Sequence, residues 1–231
     1  MNPVKRTAIL MYSFLKAYGP SPLKKYFWDK EYISEKWHFA YNTQGDCVYA
    51  PLEKYARGGS ILDLGCGSGN TSTEVANSAY EKYIGVDVSE AALEKARRRS
   101  RECGRQDKNS FACSDFFAYQ PQGKFDVILF RESMYHVPMS KIKLILDKYA
   151  LNLKDDGVFI VRLFAANQET SEDKRRPTAM LGIMEAEFDV LEKIKSSDRG
   201  RPTVLVFKPY TVSKSGASVP AKSAETLQHT V

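Results

Sequence analysis

The run Ile61-Leu62-Asp63-Leu64 leads into Gly65-Cys66-Gly67-Ser68-Gly69-Asn70, three alternating glycines after a short apolar stretch. Glycine adopts positive φ and lets a backbone pass close to a ligand, and a helix opening there offers unpaired N–H groups. The spacing departs from the dinucleotide pattern G-x-G-x-x-G, and the absence of G-K-[ST] excludes a phosphate-cradling Walker loop. Asp87 follows Gly65 by 22 residues, at the end of Tyr83-Ile84-Gly85-Val86. An acid so placed accepts both hydrogen bonds of a ribose diol, although capping the next helix is its plainer role. Ser89 and Glu90 can serve as caps instead. A third acid, Asp115, ends Phe111-Ala112-Cys113-Ser114; its carboxylate can accept from the exocyclic amine of adenine, with Phe116 flanking the ring. One loop aspartate is unremarkable, but acids in order at three successive run ends form a pattern.

A second group follows the run Phe125–Phe130: Arg131-Glu132-Ser133-Met134-Tyr135-His136. His136 has the ordinary pKa of a general base near neutrality, and a packed loop histidine before Val137-Pro138 is the alternative. Glu132 can bind a cation or an arginine, and Tyr135 stands between them. Trp28, Tyr32, Trp37 and His38 form an aromatic segment suited to cover a pocket, with simple lid packing as the alternative. Four cysteines without a C-x-x-C pair and three histidines give neither a zinc frame nor a disulfide frame. No metal is expected, and the setting is expected to be reducing and cytoplasmic.

Elements must hold these groups in place. The runs Ile61–Leu64, Tyr83–Val88, Phe111–Cys113, Phe125–Phe130 and Val158–Phe164 are short and nearly continuous, as in strands buried on both faces of a parallel sheet. Helical patterns lie between several of them. One starts at Glu90 after Ser89; another carries Ile142, Ile145, Leu146, Tyr149 and Leu153, with Asp155-Asp156-Gly157 as the turn back to a strand. Phe188–Ile194 and Thr203–Lys208, joined through Asp198-Arg199-Gly200, read as an antiparallel hairpin at the sheet edge. The expected fold class is α/β: a doubly wound, Rossmann-like, seven-stranded, mostly parallel sheet with an antiparallel C-terminal hairpin and an N-terminal helical cap.

The 231 residues suit one domain with additions, and 43% hydrophobic content fills a core. No run approaches the ~18–20 apolar residues of a membrane span. The net charge of +6 is small for the length, and the basic run Lys95–Arg101 reads as a solvated helix face. Leu10, Phe14 and Tyr18 recur at helical spacing and predict an amphipathic helix covering the domain or meeting a partner. Residues 1–57 are read as cap and lid, 58–209 as the binding domain, and 210–231, rich in Ser, Ala, Thr and Lys, as a disordered tail.

Taken together, D-L-G-C-G-S-G, G-V-D-V-S, C-S-D-F and F-D-V-I-L-F resemble the class I S-adenosylmethionine-dependent methyltransferases over roughly residues 28–209. The resemblance implies S-adenosyl-L-methionine as cofactor, with Gly65, Cys66, Gly67 and Gly69 near its methionine part and Asp63 anchoring the loop. It also implies Asp87 on the ribose, Val88 on adenine, Ser114, Asp115 and Phe116 around the adenine amine, and Arg131 facing the reaction centre. Acceptor type is not fixed by these motifs. The acid-or-Asn-Pro-Pro-aromatic signature of amine and glutamine methylation is missing, as is the Pro-Cys of cytosine-5 enzymes. The aromatic segment from Trp28 to Trp37 is loosely similar to nodulation-type and natural-product enzymes. The expected activity is in-line methyl transfer to O or N of a small molecule, by a monomer or homodimer that binds no nucleic acid. The competing readings are a nicotinamide oxidoreductase, a non-catalytic binding module, and a methyltransferase acting on protein or RNA.

Overall fold

A computed structural model of the chain describes residues 3–37, 43–164, 171–196 and 202–210. Three helices come first: α1 (Pro3–Tyr18), α2 (Ser21–Ile33) and α3 (Tyr49–Ala56). The remainder runs β1 (Ser60–Leu64), α4 (Asn70–Glu74), β2 (Lys82–Asp87), α5 (Glu90–Glu102), β3 (Asn109–Cys113) and β4 (Phe125–Arg131). It ends with α6 (Ile142–Ala150), β5 (Leu153–Leu163), α7 (Ser171–Glu187), β6 (Asp189–Lys195) and β7 (Thr203–Lys208).

The seven strands form one sheet in the order β3-β2-β1-β4-β5-β7-β6. The pairs among β1 to β5 are parallel, and β7 runs antiparallel between β5 and β6. Side chains alternate across a strand, so β4 sends Ile128 and Phe130 into the core beneath α6 and α7, and Val127 and Leu129 into the core beneath α3. Both faces are buried, which is why the runs read as continuously apolar. The order also reverses at β1, whose neighbours β2 and β4 lie to either side. Ligands of open α/β sheets bind at the carboxyl ends of strands beside such a switch point.

Three expectations change. Leu153 opens β5 and does not extend α6, and Asp155-Asp156-Gly157 lies inside that strand as an excursion. The partner of Phe125 is Leu153 while that of Val127 is Val158, so the extra residues bulge out of the ladder. The helix α7 has no counterpart in the sequence reading. And α1 forms, but Leu10 and Phe14 do not cover the core: they are 62% and 60% exposed, and of that stripe Tyr18 alone is half-buried. The inward face carries Tyr12 and Lys16, because the buried Glu31 of α2 needs donors. Tyr12 donates at 2.9 Å, Lys16 at 2.8 Å, Lys36 at 2.8 Å and the Trp37 indole at 3.0 Å. Burial pushes Glu31 up, yet these bonds hold it down at about 2.

This orientation has a measurable consequence. Replacing both Leu10 and Phe14 with Ser shifts unfolding by no more than about 0.5 kcal/mol each, as for exposed positions in general. Ile128→Ala, at a fully buried position, costs about 2–5 kcal/mol; urea unfolding of the two variants provides the comparison. Among the described residues, no helix is long and apolar enough to cross a membrane. The tail beyond Tyr210 and the tip of the β6–β7 hairpin lie outside the described residues.

Candidate active site

A cavity of ≈ 1490 Å³ opens at the carboxyl ends of the strands, under α1 and α2. Pockets for single drug-sized ligands measure about 300–1,000 Å³, so this space is large enough for two molecules side by side.

Its floor is the glycine loop after β1. Gly65, Gly67 and Gly69 all have positive φ, at 84°, 54° and 77°, but their empty sides face different things. A Cβ on Gly65 would lie 2.4 Å from the Ser133 Cβ, and one on Gly69 would lie 2.8 Å from the Ala96 Cβ. Those two glycines allow the loop to pack against the β4 loop and against α5. Only Gly67 turns its open side to the cavity, where the Tyr32 hydroxyl stands 2.6 Å from the missing Cβ. Gly69 is not among the residues that line the cavity. Gly65→Ala combines a clash with a left-handed backbone. It is expected to lower stability by more than the ~1–3 kcal/mol of a strained residue, read by thermal melting.

Asp63 is buried in β1 and accepts from the Tyr83 hydroxyl at 2.7 Å through Oδ2, while its Oδ1 is buried without a partner. Burial pushes its pKa up to about 6. Asp87 ends β2 and takes the Gly67 N–H on Oδ2 and the Ser89 N–H on Oδ1, both at 2.9 Å. Burial raises it to about 6 as well. Each carboxylate oxygen has two lone pairs, so both retain capacity toward the cavity. Ser89 caps α5 as expected, accepting from the Ala92 N–H at 3.1 Å, and its hydroxyl donates to Asp29 of α2 at 2.7 Å.

Asp115 follows β3 in the cavity wall, but it is already engaged. Lys24 donates to its Oδ2 at 2.8 Å, Ser21 to the same oxygen at 3.1 Å, and the Phe117 N–H to Oδ1 at 2.9 Å. Burial works to raise its pKa, and Lys24, the Phe117 N–H and Ser21 together outweigh that and lower it. Cys66, Val88, Ser114 and Phe116 complete this end.

The other end is built by β4, β5 and α7. Glu132 follows β4 with φ 56°, a left-handed conformation that costs free energy for a residue with a side chain and clusters at functional sites. Arg162, within β5, donates to Glu132 Oε1 at 2.5 Å and through Nε to Asp46 Oδ1 at 3.0 Å. Arg131 donates to Asp46 Oδ2 at 2.9 Å. Burial holds Glu132 at about 6 against the pull of Arg162. Tyr135 donates to the Phe164 carbonyl at 2.9 Å, and burial raises its pKa far above the usual tyrosine value. Burial, then the positive charges of Lys16, Lys24 and Arg176, push His136 down to about 4. Trp28 meets the His136 ring edge-on at 5.1 Å and tilts against Trp37 at 5.8 Å.

The structure therefore brings together all the expected site residues except Gly69 and His38, the latter outside the described residues. It adds Asp46, Arg162, Lys16, Lys24 and Arg176. Arg162 had a visible signal, since a charge inside the apolar run Val158–Phe164 must find a partner. The basic run on α5 is also not wholly a solvated face. Arg99 reaches back to the Ser68 carbonyl at 3.1 Å and Lys95 to the Tyr32 carbonyl at 2.7 Å.

The family described as "Methyltransferase domain" matches residues 56–203. A ubiquinone biosynthesis O-methyltransferase of Aromatoleum aromaticum is 38% identical over 81 residues, 35% of this chain and 34% of that protein. A probable chloroplastic tocopherol O-methyltransferase of Oryza sativa subsp. japonica is 29% identical over 119 residues, 51% of this chain and 33% of that protein. The chain thus spans about a third of the length of these curated relatives. Among solved structures, the N-methyltransferase NodS of Bradyrhizobium japonicum, in complex with S-adenosyl-L-homocysteine, superposes with a TM-score of 0.63. It is 15% identical, over 80% of this chain and 97% of that one; this likeness is one of fold.

Proposed function

Because the chain belongs to the methyltransferase-domain family, we propose that it binds S-adenosyl-L-methionine and transfers the methyl group to an O or N atom of a small molecule. The observation that carries this reading is the single cavity in which Asp63, Gly67, Asp87 and Asp115 line one end and Glu132, Tyr135 and His136 the other. When bound, the cofactor supplies a methyl group already activated on a sulfonium. The fit is supported by the unpartnered Oδ1 of Asp63 and the lone pairs of Asp87 left over from its two backbone bonds.

The protein's own work is then positioning and exclusion of water. Asp87 accepts the ribose hydroxyls. Asp115 accepts the adenine amine, in competition with Lys24. Arg162, fixed together with Arg131 by Asp46, holds Glu132 at the acceptor end. Glu132, with its pKa near 6, takes a proton from an acceptor that needs to lose one. Residues 1–57 act as cap and lid, with Trp28, Tyr32 and Trp37 closing the cavity; the family match begins at residue 56, beside that boundary. A nicotinamide oxidoreductase is disfavoured by the glycine spacing and by the third acid, Asp115.

A screen with methyl-labelled cofactor over phenols, carboxylic acids, amines, RNA and protein tests the assignment. Label on a small molecule is expected; label on RNA or protein alone contradicts the small-molecule acceptor.

A further inference from the structure

The cavity wall formed by α1, α7 and the turn Met134–His136 has a feature the transfer reaction does not use. Arg176 lines it and donates from Nη2 to the carbonyls of Tyr135 at 3.0 Å and Val137 at 3.3 Å, the two neighbours of His136. It also bonds the Tyr18 hydroxyl. The other cavity cations are matched: Lys16 by Glu31, Lys24 by Asp115, and Arg131 and Arg162 by Asp46. Among the described residues, no carboxylate stands within ion-pair distance of Arg176. Its Nε and the Nδ1 of His136 are both buried without a hydrogen-bond partner. A guanidinium does not shed its charge, and a shielded cation without a counter-ion is costly. Burial first, and then the charges of Lys16, Lys24 and Arg176, keep His136 neutral beside this guanidinium.

We propose that Arg176 receives a carboxylate carried by the acceptor, with the neutral His136 ring beside it. The inference rests on the methyl-transfer reading of the same cavity. A carboxylate fits better than a phosphate dianion, because one unmatched cation balances one charge. It belongs to the acceptor and not to the cofactor because of place. The ribose and adenine acids end β2 and β3, whereas α7 follows β5 across β4 from them. An acceptor seated by its carboxylate extends toward Glu132, so its nucleophile is a separate group. Arginine–carboxylate pairs are often bidentate, which orients the ligand as well as binding it.

The test measures binding of three acids and their neutral amides by calorimetry, in the presence of saturating S-adenosylhomocysteine. The pairs are benzoate and benzamide, 4-hydroxybenzoate and 4-hydroxybenzamide, and 3-phenylpropanoate and its amide. At least one acid should bind about 10- to 150-fold tighter than its amide, the range for a charge-assisted hydrogen bond. Arg176→Gln should bring that ratio to within about twofold, and Arg176→Lys should retain part of it. Melting curves of both variants check that they fold. Equal binding of acid and amide, no binding by any acid, or a preference that survives Arg176→Gln overturns the inference. Weaker S-adenosylhomocysteine binding in Arg176→Gln with the acid preference intact also overturns it, because Arg176 would then hold the cofactor's own carboxylate. If the wild type does not bind S-adenosylhomocysteine, the transfer reading fails. The acid–amide ratio measured without it then judges Arg176 separately.

Discussion

Glu132→Gln lowers turnover about 10²–10⁴-fold on an acceptor that must lose a proton, the range expected for removal of a general base. His136 is the residue that ordinary pKa values would nominate, but its surroundings argue otherwise. Burial and three nearby cations hold it at about 4, so it is a weak base at neutral pH. Glu132 is held at about 6 by burial, close to where a base works best. The rate should therefore rise with pH through about 6 and then level, and Glu132→Gln should show no such rise. His136→Ala should raise KM for the acceptor more than it lowers kcat. Arg162→Gln offers a second check. It removes the group that pulls the Glu132 pKa down, so the inflection should move upward. A Glu132→Gln enzyme with a wild-type rate and pH profile would remove Glu132 as base.

The second large effect concerns Asp87. Replacing it with Ala removes a charged acceptor, and losing even one hydrogen bond to a charged group costs ~1.5–3 kcal/mol, so cofactor affinity should fall by at least roughly 10- to 150-fold. It also frees the Gly67 and Ser89 N–H groups from their side-chain acceptor. The pH dependence follows from the sign of the shift. The buried carboxyl is raised to about 6 in the free protein, and only its ionised form accepts from both hydroxyls. Ligand affinity should therefore be full above that pH and fall by up to about tenfold per unit below it. Ligand binding should release a proton near pH 6, and Asp87→Asn should abolish both effects. Global stability is a poor substitute readout. Asp63, Asp87 and Glu132 are shifted up, which favours the fold at low pH, whereas Glu31, Asp46 and Asp115 are shifted down and favour it at higher pH.

What the sequence shows and what it hides have physical reasons. The strand–glycine loop–helix unit and the acids at Asp63, Asp87 and Asp115 are local in the chain, and their order alone places them at successive strand ends. Periodicity finds α1 but does not say which face turns inward, since that depends on Glu31, 15 residues from Lys16 and 19 from Tyr12. The pairs Lys24–Asp115 and Asp46–Arg162 span 91 and 116 residues, and no local pattern joins them. The helix α7 carries Pro177 in its interior and a weak apolar stripe, with Met180, Leu181 and Met184 buried. Propensity therefore misses it, and with it Arg176. The proposal of Glu132 in place of His136 as base likewise rests on burial and neighbouring charges, which no local pattern carries.

Calorimetric titration of wild type and Asp87→Ala with S-adenosylhomocysteine at pH 7.5, with NADH as the second titrant, tests most directly whether the glycine-loop end of the cavity binds an S-adenosyl cofactor through Asp87. One-to-one S-adenosylhomocysteine binding by the wild type is expected, with a Kd weakened by at least roughly 10- to 150-fold in the variant and no heat from NADH. Binding of NADH without S-adenosylhomocysteine, or equal S-adenosylhomocysteine affinity in the two proteins, would contradict it.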